Sequence, residues 1–312
     1  MKNILVTGAA GTIGINLISY LLSEGQYDIT ALELNNKRSN ERLNPYKNRI
    51  NVVYGDVTDE QLIKNLIKDH DYVFHLAGAM PPLCNIKQEL CKKVDYEGTK
   101  NLVDSIKMYN PKCKLIFPST TAIYGKHKSE VGIKSKLNIN EKDYYSYYKK
   151  ETEKLIEGSL KNYVICRIPI VIDNINKDIV YSVNKDAEIE VIKSNDLALA
   201  LIETLKINNE KFNIYSSQSY RINSKDYVIH NLRTYGLSFN FLTNYLFAEE
   251  RLESPLLKEE NILNLNYISG NVDAFYINKS KKNKKLTTKI KRILAKPFIK
   301  SIERSKSKWK KD

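Results

Sequence analysis

Cysteine is scarce in this 312-residue chain, which has four: Cys84, Cys91, Cys113 and Cys166. None forms a CxxC pair and no histidine cluster lies near them. That speaks against a metal site and a disulfide framework, and for free thiols in a reducing compartment. Long apolar runs are also absent, and none approaches the roughly 20 residues of a membrane span. The first apolar strand begins by residue 3, so no cleavable presequence is expected and the chain reads as cytoplasmic. The net charge of +14 is largely absent from the body. Residues 279–312 hold 15 Lys plus Arg against Glu303 and Asp312, a net of +13, which leaves +1 for residues 1–278. Basic stretches interleaved with aromatics are missing, and with a neutral body this argues against a nucleic-acid partner. What remains is an ordinary globular composition, 42% hydrophobic and 28% charged, enough for one large domain or two modest ones.

What is present begins at once. The apolar run Ile4 to Val6 leads into Gly8-Ala-Ala-Gly11-Thr12-Ile13-Gly14, and Ile13, Leu17, Ile18, Leu21 and Leu22 then share one helical face. A strand, a glycine turn and a helix N-terminus make a cradle for a dinucleotide pyrophosphate. The glycines admit the phosphates to the backbone, and the helix supplies free N–H groups. A second strand, Asp28 to Glu33, ends in a carboxylate placed to hold the ribose hydroxyls of NAD. That charge repels a 2′-phosphate and favours NAD over NADP, although Lys37 and Arg38 close behind soften the preference.

Residues 35–48 are polar and turn-rich and read as a loop. A third strand, Ile50 to Val57, brings Asp56 and Val57 towards the adenine. A short amphipathic helix covers Gln61 to Lys68. The fourth strand runs from Asp71 to Gly78, and its small residues Ala77 and Gly78 let the backbone lie against the cofactor. His75 within it reads as a packed histidine rather than a base. One long helix is expected from about Ile86 to Met108, and a fifth strand from Lys112 to Phe117. Strands alternating with helices at this spacing imply a doubly wound parallel sheet, α/β in class, with ligands at the carboxyl ends of its strands.

After the fifth strand comes Pro118-Ser119-Thr120-Thr121-Ala122-Ile123-Tyr124-Gly125, and then a helix opening at Asp143 and continuing to Leu160. Positions four apart share a helix face, which pairs Tyr145 with Lys149. A phenol is a weak base at its usual pKa of about 10, and a neighbouring ammonium is expected to lower that value. Thr120 supplies a hydroxyl that can bond the same substrate oxygen. Base, activator and orienter are the parts needed to move a proton while hydride passes to or from a cofactor.

These pieces resemble an extended short-chain dehydrogenase/reductase of the NAD-dependent epimerase/dehydratase family. The matching segments are Thr7–Gly14, Gly55-Asp56, His75–Gly78, Gly98–Leu102, Ser119–Gly125, Tyr145 with Lys149 and Glu153, and Arg167–Pro169. The resemblance covers most of residues 1–170. It implies a Rossmann fold, with Tyr145 as acid/base, Lys149 as its activator and nicotinamide-ribose ligand, and Thr120 as the third member. Glu33 and Asp56 become adenosine-side contacts, and Gly8, Gly11, Thr12, Ile13 and Gly14 the phosphate cradle. It also implies a nucleotide-sugar substrate and a helix-mediated homodimer. Departures from the pattern carry information. Asp95 stands where an asparagine is usual, and Tyr148 replaces a small residue before the lysine. Thr121 and Ala122 occupy the places of the Asp-Glu pair that 4,6-dehydratases use, so an epimerase is expected rather than a dehydratase. A net reductase or dehydrogenase, and a non-catalytic dinucleotide sensor, stand as alternatives.

Three regions are expected: a Rossmann domain over 1–172, an abbreviated substrate lobe interleaved with the core over 173–278, and a basic tail over 279–312. Phe212 to Tyr215 reads as a strand and Ser224 to Tyr235 as a helix. In the tail Leu286, Ile290, Ile293, Leu294, Phe298 and Ile302 recur among lysines at near-helical spacing. Such a segment suits the surface of an anionic membrane, or a solvated tail.

Overall fold

The computed structural model describes residues 1–81, 83–125, 131–141, 143–171, 188–207, 209–214 and 221–223. The expected helix from Ser224, the basic tail and part of the substrate lobe lie outside the described residues.

Strand β1 (Lys2–Thr7) has Ile4, Leu5 and Val6 fully buried. Because side chains alternate across a strand, Ile4 and Val6 enter one core and Leu5 the other. A strand buried on both faces suits the interior of a parallel sheet and no other common place. Around it lie β2 (Tyr27–Glu33), β3 (Asn51–Tyr54), β4 (Tyr72–His75), β5 (Lys114–Thr120), β6 (Tyr163–Ile168) and β9 (Glu210–Asn213), in the order β3-β2-β1-β4-β5-β6-β9. Every pairing in this sheet is parallel. β7 (Ile170–Val171), β8 (Glu188–Ile192) and β10 (Arg221–Asn223) form a separate three-stranded sheet.

Helix α1 (Thr12–Glu24) buries Leu17, Ile18 and Leu21 on one face of the large sheet, beside α8 (Ser194–Glu203) with Leu197, Ala198 and Leu201. The opposite face carries α3 (Glu60–Ile67), α6 (Gly98–Tyr109) and α7 (Tyr144–Ser159), through Ile63, Ile67, Leu102, Val103, Ile106 and Ile156. α8 and β9 thus belong to the Rossmann layers, α8 packing beside α1 and β9 pairing with β6 at the edge of the sheet that contains β1. The order of the strands reverses between β1 and β4, where an open parallel sheet has its ligand crevice.

Two differences from the sequence reading have clear causes. Residues 35–48, expected as a loop, contain α2 (Lys37–Leu43) and a 3-10 turn at Asn44–Tyr46. Asn36 accepts from Ser39 N at 3.0 Å while Ser39 Oγ accepts from Asn36 N at 3.1 Å, a reciprocal cap that starts a helix in a polar segment. Buried Leu43 then anchors it. The long helix expected from Ile86 is instead α4 (Leu83–Ile86), α5 (Gln88–Cys91), a π-helical segment (Lys92–Glu97) and α6. Within the π segment the Asp95 carbonyl accepts hydroxyls from Thr99 at 2.7 Å and Thr152 at 3.1 Å. Side chains inserted into the ladder in this way displace the regular i to i−4 bonds.

A buried network joins the far end of α7 to β6. Arg167 makes a two-pronged ion pair with Glu153, Nε to Oε1 at 3.0 Å and Nη2 to Oε2 at 2.7 Å. Its Nη1 donates to Tyr124 Oη at 3.0 Å, and Tyr124 donates to Asn213 Oδ1 at 2.6 Å. Removing Arg167 leaves the buried Glu153 carboxylate with only the more distant Lys211 Nζ, at 3.7 Å, beside it among the ion pairs of the described residues. Arg167→Ala is expected to lower the unfolding free energy by about 3–5 kcal/mol in denaturant titrations. The paired change Glu153→Leu with Arg167→Met should cost much less; equal losses would show that the ion pair itself is what the core needs.

Candidate active site

The cradle is built from backbone. Gly8 has φ of +66°, and a Cβ there would lie 2.6 Å from Ala77 N and 2.7 Å from the Leu76 carbonyl carbon. At Gly14 a Cβ would lie 2.5 Å from Ala9 O. Only glycine allows the turn after β1 to lie this close both to the chain after β4 and to its own helix. Gly11 is the N-cap of α1, with no side-chain cap and no acidic residue in the first turn, and Thr12 and Ile13 open the helix. A glycine cradle beneath a helix N-terminus that no side chain caps fits a pyrophosphate.

Glu33 closes one side of that cradle. Its Oε2 accepts from Ala10 N at 2.8 Å and its Oε1 from Leu34 N at 3.0 Å, which fixes the carboxylate at the end of β2. Asp56 accepts from Thr58 N at 2.9 Å and shapes the turn after β3. Val57 is buried against Gly98, where an added Cβ would meet its Cγ2 at 2.8 Å. Ala77 N donates to Thr7 Oγ1 at 3.2 Å, and at Gly78 a Cβ would lie 2.6 Å from Asp95 Oδ1. Gly78 therefore leaves room for a carboxylate as well as for backbone approach.

Helix α7 starts where Asp143 accepts from Ser146 N at 3.1 Å. Four tyrosines crowd its first five positions, Tyr144, Tyr145, Tyr147 and Tyr148, and their neighbours separate them. Tyr147 is exposed, while Tyr148 is buried against Ala79, Cys84 and Cys91. Only Tyr145 stands four residues before a buried lysine. Lys149 Nζ donates to Pro118 O at 3.3 Å, lies 4.6 Å from the Phe117 ring centre and 5.9 Å from that of Tyr145, and faces Asp95 Oδ1 at 3.9 Å. Thr120, the last residue of β5, hydrogen-bonds the Tyr145 phenol. Tyr145, Lys149 and Thr120 thus converge at the carboxyl ends of the central strands, beside Gly78.

The electrostatics differ from expectation. Tyr145 is pushed up rather than down, by burial first and then by the Asp95 charge, with the Thr120 hydroxyl opposing. Burial pushes Lys149 down while Asp95 and Glu153 hold it up. Burial is the first reason, and Asp95 the second: the ammonium that was to serve the phenol has a buried carboxylate on its other side. Asp95 itself is pushed up to about 6 by burial, against Lys149 and the Ala79 N–H.

Cys84 and Cys91, read from the sequence as free thiols, are joined by a disulfide, while Cys113 and Cys166 are buried and free. Their spacing hides the pairing from a CxxC search, since the break between α4 and α5 is what brings their Cα atoms to 4.8 Å. Both sulfurs lie on Asp95, and the three donor groups fall within 4.8 Å of one another. With the sulfurs bonded together the set has no thiolate to offer a metal ion. Sequence reasoning noted Asp95 as a departure and did not place it in the site; its position four residues after Cys91 was the available signal. Ser119 was also passed over, and its buried Oγ has no hydrogen-bond partner.

His75 is a packed histidine. Thr7 donates to Nδ1 at 2.7 Å, and Nε2 donates to Thr99 Oγ1 at 2.9 Å, because the Thr99 hydroxyl proton is already committed to the Asp95 carbonyl. This chain fixes the tautomer and ties β1 to β4 and the π segment.

Residues 4–213 match the family model described as the NAD dependent epimerase/dehydratase family, and the chain belongs to that family. A CDP-paratose 2-epimerase from Salmonella typhi is 32% identical over 127 residues, 39% of this chain and 38% of the relative. A UDP-glucose 4-epimerase from Yersinia enterocolitica is 30% identical over 133 residues, 39% of this chain and 38% of the relative. The alignments therefore span well under half of these relatives. Among solved structures, the Bordetella bronchiseptica enzyme WbmH in complex with NAD+ superposes with a TM-score of 0.67 at 21% identity, over 83% of this chain and 89% of that one. A UDP-glucuronic acid 4-epimerase from Bacillus cereus, in complex with UDP-glucuronic acid and NAD, gives 0.64 at 19% identity, over 76% and 84%. These likenesses establish a shared Rossmann fold. Among the described residues no helix is long and apolar enough to cross a membrane.

Burial holds His75 neutral with its pKa pushed down to about 3, and the Lys149 charge adds to the effect. In the unfolded chain its value is near 6.5, so between these values the unfolded state binds the extra proton. The stability that neutral His75 contributes is complete above pH 6.5 and is lost as pH falls towards 3. Thermal or urea unfolding across pH 3–7 should show wild type losing up to about 1.4 kcal/mol per pH unit more than His75→Gln on that limb. Parallel curves would mean that His75 is not buried neutral.

Proposed function

We propose that this protein is an NAD-dependent epimerase of a nucleotide-linked sugar. The observation that carries the reading is the convergence of Tyr145, Lys149 and Thr120 beside the Gly8–Gly14 cradle, at the strand ends where the sheet order reverses. The relatives' own activities support the substrate class, since a CDP-linked and a UDP-linked sugar stand in their names.

The site residues divide the work. Gly8, Gly11, Thr12, Ile13 and Gly14 hold the pyrophosphate of NAD. Glu33 takes the adenosine ribose hydroxyls, Asp56 and Val57 the adenine side, and Ala77 and Gly78 lie along the cofactor. Bound NAD supplies reversible hydride transfer, so that a sugar carbinol passes through a ketone and returns with inverted configuration. Tyr145 takes the proton from the sugar hydroxyl oxygen and gives it back, and Thr120 hydrogen-bonds and orients that oxygen. Lys149, kept charged by Asp95 and Glu153, stabilises the phenolate and binds the nicotinamide ribose. Thr121 and Ala122 stand where 4,6-dehydratases carry their acid/base pair and offer none, which disfavours elimination of water.

Incubation of the full chain and NAD with UDP-, dTDP-, CDP- and GDP-hexoses should give a product of unchanged mass and new configuration. A gain or loss of two hydrogens would replace epimerisation by net reduction or oxidation, and loss of water would overturn the reading of Thr121 and Ala122. Tyr145→Phe should lower kcat by roughly 10²- to 10⁴-fold, with NAD affinity preserved. Retention of full activity would remove Tyr145 from the mechanism. Glu33→Ala should weaken NAD binding and narrow the preference for NAD over NADP; an unchanged cofactor ratio would place the ribose elsewhere.

A further inference from the structure

Asp95 is buried, and its surroundings are unusual for a carboxylate. Oδ1 accepts no hydrogen bond and faces Lys149 Nζ at 3.9 Å. Oδ2 accepts from Ala79 N at 3.2 Å and otherwise looks onto two sulfurs, Cys91 Sγ at 3.3 Å and Cys84 Sγ at 3.5 Å. Buried carboxylates are ordinarily supplied with donors. A disulfide sulfur carries no proton, so these two neighbours offer none while they are bonded to each other.

We propose that Cys84 and Cys91 are a reversible dithiol–disulfide pair that controls the Tyr145–Lys149 pair through Asp95. The inference rests on Tyr145 and Lys149 being the proton-transfer pair of the proposed function. In the switching step a dithiol reductant attacks the S–S bond. Two electrons and two protons pass to the protein, Cys84 and Cys91 each become S–H, and the reductant closes to its own disulfide. Two S–H groups then lie within reach of Oδ2, Cys91 at 3.3 Å and Cys84 shared between Oδ2 at 3.5 Å and the Ala79 carbonyl at 3.3 Å. Hydrogen bonds to a charged group favour that charge, so reduction stabilises the Asp95 carboxylate. A firmer negative charge holds Lys149 more strongly and opposes the phenolate of Tyr145. Oxidation withdraws both donors and reverses the bias.

The groups facing Asp95 are few. Lys149 and Tyr145 approach from α7, where Asp143 acts on Tyr145 and Glu153 on Lys149. His75 on β4 is held neutral, with the Lys149 charge as its only charged influence. α4 and α5 bring the cysteines. Among these, only the sulfurs change their proton count with redox state. With the disulfide closed, Asp95 is pushed up to about 6 by burial, so its ionisation falls in a range where two added donors register. Cys84 and Cys91 are buried, but they are carried by two helices of four residues each, α4 and α5, with Met80, Leu83 and Leu90 exposed around them. Elements this short open locally at small cost. In reducing compartments, disulfides that do form are usually transient catalytic or redox-sensing ones.

The test uses the full chain labelled with ¹³C at aspartate carboxyls, the Asp95 signal being assigned by its loss in Asp95→Asn. In air-oxidised protein, denatured without reductant, two thiols should react, and four after dithiothreitol. On reduction the Asp95 titration should move to lower pH by at least about half a unit. Cys84→Ala with Cys91→Ala, which offers no donors, should keep the oxidised value with or without dithiothreitol. Cys84→Ser with Cys91→Ser, which offers two hydroxyls, should keep a lowered one. Four reactive thiols in the oxidised protein, or an Asp95 titration indifferent to dithiothreitol, would overturn the switch. Activity separates the two claims. A redox-dependent Asp95 titration together with full activity in Tyr145→Phe would sink the proposed function and leave the Asp95–cysteine coupling standing. A loss of activity in Tyr145→Phe with an unmoved pH profile on reduction would sink the switch alone.

Discussion

Between Gly8 and the Leu76–Ala77 peptide there is room for backbone and nothing else. A methyl group at Gly8 would sit 2.6 Å from the Ala77 nitrogen. This approach brings the carboxyl ends of β1 and β4 together at the reversal in strand order, and the site is assembled around it. Thr7 at the end of β1 then reaches both Ala77 N and His75. His75 reaches Thr99, and Thr99 reaches the Asp95 carbonyl. The glycine turn after β1 and the Tyr145–Lys149 pair are therefore set against each other by one hydrogen-bonded chain, anchored where glycine lets two strands meet.

The second constraint is the charge on Lys149. An ammonium in a protein interior is costly unless it is paired. Here the pairing is shared among the Pro118 carbonyl, the Phe117 ring and Asp95, none at full ion-pair contact. The lysine is thus held without being consumed, as a residue must be if it is to act on a neighbouring phenol. Asp95 performs that holding with a charge of its own, and the same charge raises Tyr145. An amide at position 95 would remove this conflict.

Where local chemistry decides the structure, the sequence was readable. The strand–glycine–helix opening, Glu33 at the end of β2 and the Tyr145–Lys149 spacing each depend on residues within a turn or a strand, and each took the expected conformation. The α2 helix was missed because its start depends on a reciprocal cap between Asn36 and Ser39, which looks like any polar turn in a list of letters. The break in the helix before α6 was missed because hydroxyls from Thr99 and Thr152 enter the ladder, and Thr152 comes from another helix. The disulfide was missed for the same kind of reason, since a spacing of seven matches no motif until the chain bends between α4 and α5. The raised phenol of Tyr145 was not legible because it comes first from burial and then from Asp95, fifty residues away in the chain and adjacent in space.

The π segment carries one residue more per turn than the helix it interrupts. Cys91 just before it and Asp95 within it lie towards Tyr145 and Lys149; downstream, Leu102, Val103 and Ile106 face the sheet. The two stretches are therefore out of phase with each other. Deleting Tyr96 would shift Asp95 by one position relative to α6 and turn it roughly 100° away while leaving the apolar stripe of α6 in place. The face that meets Lys149 and the face that meets the sheet are geared through that one extra residue. Length, more than identity, is what the segment has to preserve.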